Sequence, residues 1–317
     1  MRYYLNDLCT ENKNETKKPD NMKKTIYLIA LILGLLNIAA NAQEVETISL
    51  RVPDFARPLV DNLTKEYQKH HSQVEFKFVS AKTQDAVNVL TLITDADEEA
   101  VNFARYAVLP VAVKGSEAAR LTASHRLNAR KLRSLFFVNE DDDEDDQSKA
   151  EQKVHIYTGN SQQSASRVYA QYLHEEVNDY KGKKISGDDS FLTAAISRDP
   201  LGVTVNYISN IFDLESREPG SDLAILPLDL DRHGRQVLDA ANLDNIISLL
   251  EEQSYDEIPV GSVGFAYDRT DDTINEFVSW VLTAGTAELH HYGLLTLSQK
   301  ELTAQLQRIN NRELAQN

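Results

Sequence analysis

Cysteine is nearly missing from this sequence. The 317 residues hold one, Cys9, and it lies upstream of a segment read below as a cleaved leader. The mature chain is therefore expected to form no disulfide and to run no thiol chemistry. Positive charge is also in short supply: 33 Lys+Arg stand against 49 Asp+Glu, a formal net charge of −16. So acidic a surface argues against nucleic acid and anionic membrane as partners, since both need a positive footprint. A small anion stays admissible, because backbone N–H groups and one arginine hold it locally. The sequence has no His-Glu-x-x-His, no Gly-x-Ser-x-Gly and no P-loop, so zinc protease, hydrolase and nucleotidase readings lack a metal scaffold or a nucleophile. A protein without catalysis and without a cofactor is expected.

What is present begins at Met22. Lys23 and Lys24 precede an apolar run over residues 26–36, and Ala40-Asn41-Ala42 follows ahead of Gln43. Charged, apolar and small residues in that order make a secretory signal, and the run is shorter than the roughly 20 residues of a membrane-spanning helix. Cleavage is expected after Ala42, with export to the periplasm. No cysteine lies at the cleavage point to carry a lipid. Residues 1–21 are polar and without periodicity, so either Met22 is the true start or the chain has a dispensable leader. About 275 residues remain, enough for one large or two medium lobes with their own cores.

The mature sequence alternates helical and extended patterns. Residues 48–52 read as a strand. Leu59, Leu63 and Tyr67 recur at intervals of four over a helix at 58–70, and Val74, Phe76 and Phe78 alternate with Glu75 and Lys77 as a half-buried strand. The run 107–113 (AVLPVAV) is a buried strand, and 127–137 is a helix carrying Arg130, Lys131 and Arg133. Residues 139–152 carry acids at nearly every position from Glu140 to Asp146; such a segment cannot bury apolar surface and is expected to be a mobile insert. Beyond it come a strand at 154–157, a polar loop at 158–166, helices at 167–177 and 191–196, and strands at 203–208 and 223–226. Leu243, Ile246, Ile247 and Leu250 mark a further helix closed by Pro259. A strand at 260–267 follows, then a helix carrying Ile274, Phe277, Val278, Val281 and Leu282, stopped by Gly285, and a last helix on Leu302, Leu306 and Ile309.

This alternation predicts an α/β protein. The runs near 110 and near 262 are candidates for two crossings between lobes. They divide the chain into a discontinuous lobe, 44–113 plus 260–317, and a continuous one, 114–259.

Three stretches carry a family likeness: 56–78 (ARPLVDNLTKEYQKHHSQVEFKF), 154–173 (VHIYTGNSQQSASRVYAQYL) and 277–297 (FVSWVLTAGTAELHHYGLLTL). In order and spacing they resemble the periplasmic phosphate-binding proteins of ABC transporters, a branch of the type II periplasmic binding-protein superfamily. The resemblance implies two α/β lobes, with mixed sheets flanked by helices and two hinge crossings, around a ligand cleft. It implies capture of a small oxyanion, phosphate by precedent, for an inner-membrane ABC permease, by a protein expected to be a monomer.

The family's Ser-Gly-Thr-Arg loop falls on Ser164-Ala165-Ser166-Arg167. The resemblance makes the two hydroxyls, the N–H groups of the following helix and the Arg167 guanidinium donors to the anion. The residues by themselves leave a second reading open, with Ser164 or Ser166 capping the helix and Arg167 on the surface. Departures are visible. Ala165 stands where the family has a glycine. The family's first anion loop falls on Val52-Pro53-Asp54-Phe55, where proline has no N–H and Asp54 repels an anion. Asp95 and Asp97 are candidates for the family's acidic loop. The ligand-contact set is thus Ser164, Ser166, Arg167, Asp54 and Asp95. A rival expectation is an envelope interaction or assembly protein that keeps the fold and has lost the anion site.

Two other constellations are weaker. Asp229-x-Asp231-x-x-Gly234 opens like a calcium loop, but Ala240 stands at its twelfth position in place of glutamate, and a polar turn explains it. The pairs His70-His71 and His290-His291 point about 100° apart on a helix and seldom share a metal. Trp280 falls on an apolar helical stripe and is expected in the core.

Overall fold

The computed structural model describes residues 45–80, 83, 86–94, 100–138, 153–220 and 222–316, with side chains as far as Ile309. The expected signal segment, Cys9, Asp95, Asp97 and the acidic insert at 139–152 lie outside the described residues.

The opening unit is β-α-β. Strand β1 (Glu46–Arg51) turns through Pro53 and a single 3-10 turn (Asp54–Ala56) into helix α1 (Arg57–Gln68). Pro58 sits in the first turn of α1, where its missing N–H costs nothing. Leu59, Val60, Leu63 and Tyr67 form the buried stripe of that helix. In β2 (Val74–Phe78) Glu75 and Lys77 are exposed while Val74 is buried and Phe76 and Phe78 half-buried, the alternation expected of a strand with one covered face.

Strand β3 (Val89–Thr94) was not foreseen in the sequence. The long β4 (Val101–Val113) follows, then α2 (Glu117–Thr122), α3 (Ala129–Phe136), β5 (His155–Gly159), α4 (Ala165–Tyr172), β6 (Lys183–Ile185) and α5 (Ser190–Ile196). The chain continues through β7 (Gly202–Tyr207), a short α6 (Ile208–Ile211), β8 (Leu223–Ile225), α7 (Arg232–Ala240), α8 (Leu243–Glu252), β9 (Val260–Ala266), α9 (Asp272–Thr283) and α10 (Gln299–Gln316). The helix expected at 167–177 starts two residues earlier and ends at Tyr172. Leu173 closes it, and His174 takes a left-handed conformation (φ 59°). Asp231 caps α7 by accepting from the Gly234 N–H at 2.7 Å, which accounts for the Asp-x-x-Gly spacing without a cation. Trp280 is half-buried and edge-on to Tyr67 at the margin of the core.

The strands form one mixed sheet in the order β2-β1-β3-β9-β4-β7-β5-β6, with β8 also paired to β4. β1 runs parallel to both β2 and β3, and β5 parallel to both β6 and β7. β9 is antiparallel to β3 and β4. The 13 residues of β4 serve two sets of partners: Val101–Ala107 pair with β9, and from Val108 onward the strand pairs with β7 and then β8. The handover lies between Ala107 and Val108, where the Val108 N–H donates to Pro259 O at 3.0 Å. Most of β4 is buried, which is why its sequence is a continuous apolar run instead of an alternating one. One continuous apolar core packs on it, with α9 and α10 among the helices against the strand on one side and α4 and α6 on the other. Among the described residues no helix is long and apolar enough to cross a membrane.

Candidate functional site

Loops at the C-terminal ends of parallel strands are where open α/β sheets hold ligands, because side chains and helix N-termini converge there. Three such loops meet here: the turn from β1 into α1, the loop from β5 into α4, and the loop from β6 into α5. They border a cleft of about 650 Å³. One wall carries Arg51, Asp54, Arg57, Ser80 and Thr91, and the other Ser161–Gln163, Gly187–Asp189 and Asn210.

Contacts among the described residues join the walls. Gln163 Nε2 donates to Leu92 O at 3.0 Å. The Phe55 ring stacks on Tyr207 with centroids 4.1 Å apart, and the Tyr207 hydroxyl donates back to Gln163 O at 2.9 Å. Asp54 and Asp188 face each other carboxyl to carboxyl, close enough to share a proton in a hydrogen bond. That bond, with burial and the Asp188 charge, holds Asp54 above the usual carboxylate range although Arg57 pulls the other way. Asp188 ends below the usual range: burial raises it, but the Asp54 bond and two bonds from Ser190 outweigh burial. A proton on Asp54, donated to Asp188, satisfies both directions.

The two arginines sit on the first wall only. Arg51 Nη2 donates to Thr83 O at 2.8 Å, while its Nε is buried without a partner. Arg57, exposed at the first position of α1, lies over the Phe78 ring at 4.7 Å. No cation lies among the residues lining the second wall.

At the start of α4 two backbone donors, the Ala165 and Arg167 N–H groups, are already engaged by side chains. Ser164 Oγ accepts from the Arg167 N–H at 3.2 Å as an N-cap. Asp189 Oδ2 accepts from the Ala165 N–H at 2.7 Å. Ser166 Oγ accepts from the Gly159 N–H at 2.9 Å. Asp189 is 8% exposed and its Oδ1 has no partner. Burial, against the Ala165 hydrogen bond and with the Asp188 charge, pushes its carboxyl up to about 7. Gly159 is required by this contact: a Cβ there would stand 2.7 Å from Asp189 Oδ1 and 2.9 Å from Ser164 Cβ.

Of the residues expected to touch a ligand, Asp54 lines the cleft. Ser164 and Ser166 are buried, with their oxygens bonded to backbone N–H groups. Arg167 is half-buried with an unpartnered Nε, and it is absent from the cleft lining. Asp95 lies outside the described residues. The polar loop at 158–166 borders the cleft through Ser161, Gln162 and Gln163. Sequence reasoning missed Arg51, Arg57, Asp188 and Asp189. The Gly187-Asp188-Asp189-Ser190 run ahead of an apolar helix was a usable signal for a helix-start loop.

No protein-family model and no curated protein matches the chain. Solved structures do. An ABC-type phosphate transport receptor from Vibrio cholerae superposes with a TM-score of 0.53 at 12% identity, over 80% of this chain and 100% of that one. The fold is that of a two-lobed periplasmic binding protein. A possible phosphate binding protein from Planctomyces limnophilus agrees, with a TM-score of 0.51 at 9% identity over 84% of this chain and 99% of that one. The periplasmic binding-protein fold expected from the sequence is therefore present, with its strands joined in one mixed sheet where separate mixed sheets were expected, and the cleft described above lies at the strand ends of that sheet.

Proposed function

We propose that this chain is a non-catalytic, exported solute-binding protein whose lobes close on a small ligand in the 650 Å³ cleft. In this reading the lobes are 44–113 plus 260–317 and 114–259, and the crossings are β4 and β9. The observation that carries it is the position of the cleft. It opens where three strand-end loops meet, beside the strand that passes from one set of sheet partners to the other. Each wall supplies polar groups, so a ligand bridging them binds the shut state better than the open one, which is what closure needs. Arg51 and Arg57 supply positive charge for an oxyanion, phosphate being the first to test given the fold's likeness, with delivery to an inner-membrane permease and a monomeric state as part of the same reading. Thermal shift and calorimetry against phosphate, sulfate and a panel of small solutes test it. A cleft ligand raises the melting temperature by mass action, and no shift with any solute counts against solute capture.

A second reading has its own observation. The walls already meet through Gln163, Phe55 and the Asp54–Asp188 pair. A cleft that holds itself shut suits an envelope interaction protein that keeps the fold without a transported ligand. That reading predicts no shift with any solute together with an unchanged scattering radius.

A further inference from the structure

The start of α4 is the place on the second wall where a free anion would be received, by backbone N–H groups and the positive end of the helix dipole. The chain's own Asp189 occupies it. Its Oδ2 takes the Ala165 N–H at 2.7 Å, and the Asn206 side chain holds the Asp189 carbonyl at 2.8 Å, so the residue is fixed at both ends. Ser164 takes the Arg167 N–H on its hydroxyl and the Val168 N–H on its carbonyl, so three of the four first-turn donors have acceptors from within the protein. The remaining Asp189 oxygen is buried and unpartnered, an uncompensated acceptor on the lobe that carries no cleft cation. Beside it Asp188 faces the cleft and meets Asp54 from the opposite wall, two carboxyls that a cation relieves better than one shared proton does. Positive charge is confined to the first wall, at Arg51 and Arg57.

We propose that the Asp189 carboxyl, by filling the anion position at the start of α4, closes that end of the cleft to free oxyanions, and that the cleft instead selects a small zwitterion. The ammonium of the ligand meets Asp54 and Asp188, and its acid group meets Arg51 and Arg57. This inference rests on the solute-binding reading and narrows it: the acid group, carboxylate or phosphonate, is held by arginines alone, and the charge separation of the ligand matches the two ends of the cleft.

The test compares wild type with Asp188→Asn, Asp189→Ser and Asp189→Asn, each first shown by its melt to be folded. The probes are inorganic phosphate, sulfate, the standard amino acids and 2-aminoethylphosphonate, screened by thermal shift at about 10 mM and followed by calorimetry. Wild type is expected to bind at least one zwitterion and neither inorganic anion. Asp188→Asn is expected to weaken that zwitterion at least tenfold. Asp189→Ser, which vacates the Ala165 N–H, is expected to gain phosphate or sulfate binding. The near-isosteric Asp189→Asn separates charge from space, since it removes the repulsion while still filling the position, and is expected to gain less than the serine variant. Phosphate bound by wild type with no zwitterion bound overturns the proposal and leaves solute capture standing. If wild type binds no member of either set, the proposal and the solute-binding reading fall together.

Discussion

The helices that start at the two walls of the cleft are built in opposite ways. α1 begins behind Ala56, with no side-chain cap, Pro58 in its first turn and the exposed Arg57 at its first position. α4 begins behind Ser164, whose hydroxyl caps it, and over the buried Asp189, whose carboxylate takes its next free N–H. The first start is open and cationic, the second sealed and acidic. A helix N-terminus is therefore not an anion site by virtue of its dipole alone. What decides is whether the protein has already filled the position with an acceptor of its own, and here the α4 wall has and the α1 wall has not.

The largest expected effect comes from breaking the sealed end. The Asp189 carboxyl is raised from 3.8 to about 7 in the folded protein. A raised carboxyl favours the folded state in its protonated form, so its contribution is full below 3.8 and is lost as pH climbs through about 7. The interval corresponds to roughly 4 kcal/mol at most. Asp189→Asn removes that pH dependence, so urea melts at pH 5 and pH 8 should show wild type losing about 2–3 kcal/mol relative to the variant on going to pH 8. Asp188 on the same loop, Tyr180 and the Ala165 N–H are the groups that face this carboxyl, and none of them changes in the variant. Parallel loss of stability in both proteins would show that Asp189 does not ionise in this interval.

Gly159→Ala attacks the same end sterically. The new Cβ falls within 3 Å of Asp189 Oδ1 and Ser164 Cβ, and overpacking of this kind costs about 1–3 kcal/mol. Because one of those neighbours is the Asp189 side chain, the cost should drop in an Asp189→Ala background. A coupling energy of about 1 kcal/mol in a double-mutant cycle by denaturant melts is the expected reading, and strict additivity would show that Ser164 alone carries the clash.

How much of this contrast was legible in the sequence follows from its physics. The patterns of β2, β4, α8 and α9 are local, and periodicity or a continuous apolar run declares them. The handover within β4 also left a trace, since a strand paired on both edges and covered on both faces has no polar alternation. β3 (VLTLIT) was missed because two threonines interrupt a short apolar stretch and no glycine or proline punctuates its ends. The loop between β5 and α4 borders the cleft through Ser161, Gln162 and Gln163, as the strand-turn-helix order led one to expect, yet the Ser164 and Ser166 hydroxyls serve the backbone. The Ser164 cap is local and the sequence left it open, but the Ala165 N–H is taken by Asp189, 24 positions further on, and no local pattern encodes that encounter. Arg51 and Arg57 belong to the same class: a charged residue at a strand end or first helical position reads as surface until the opposite lobe is placed against it.

The contact between the walls gives a smaller effect. Gln163→Ala removes the side-chain hydrogen bond across the cleft to Leu92 O, worth about 0.5–1.5 kcal/mol. If that contact helps keep the lobes together, the variant should lower the melting temperature slightly and raise the radius of gyration in small-angle scattering. A lower melting temperature with an unchanged radius would assign Gln163 to the local stability of its loop.

The smallest effect belongs to Asp54→Asn on the open wall. An asparagine Nδ2 donates to Asp188 as the protonated Asp54 carboxyl does, so at pH 5 the two proteins should agree within about 0.5 kcal/mol, particularly since the site is mostly exposed and screened. At higher pH they should part. The raised Asp54 carboxyl contributes stability below its ordinary value of 3.8 and loses it as pH rises through its higher folded value, where two carboxylates come to face each other. Asparagine cannot ionise, so the variant becomes the more stable protein at pH 8. A wild type equally stable there would mean that Arg57, rather than a shared proton, neutralises the pair, and would move the boundary between the cationic and acidic ends of the cleft onto Asp54 itself.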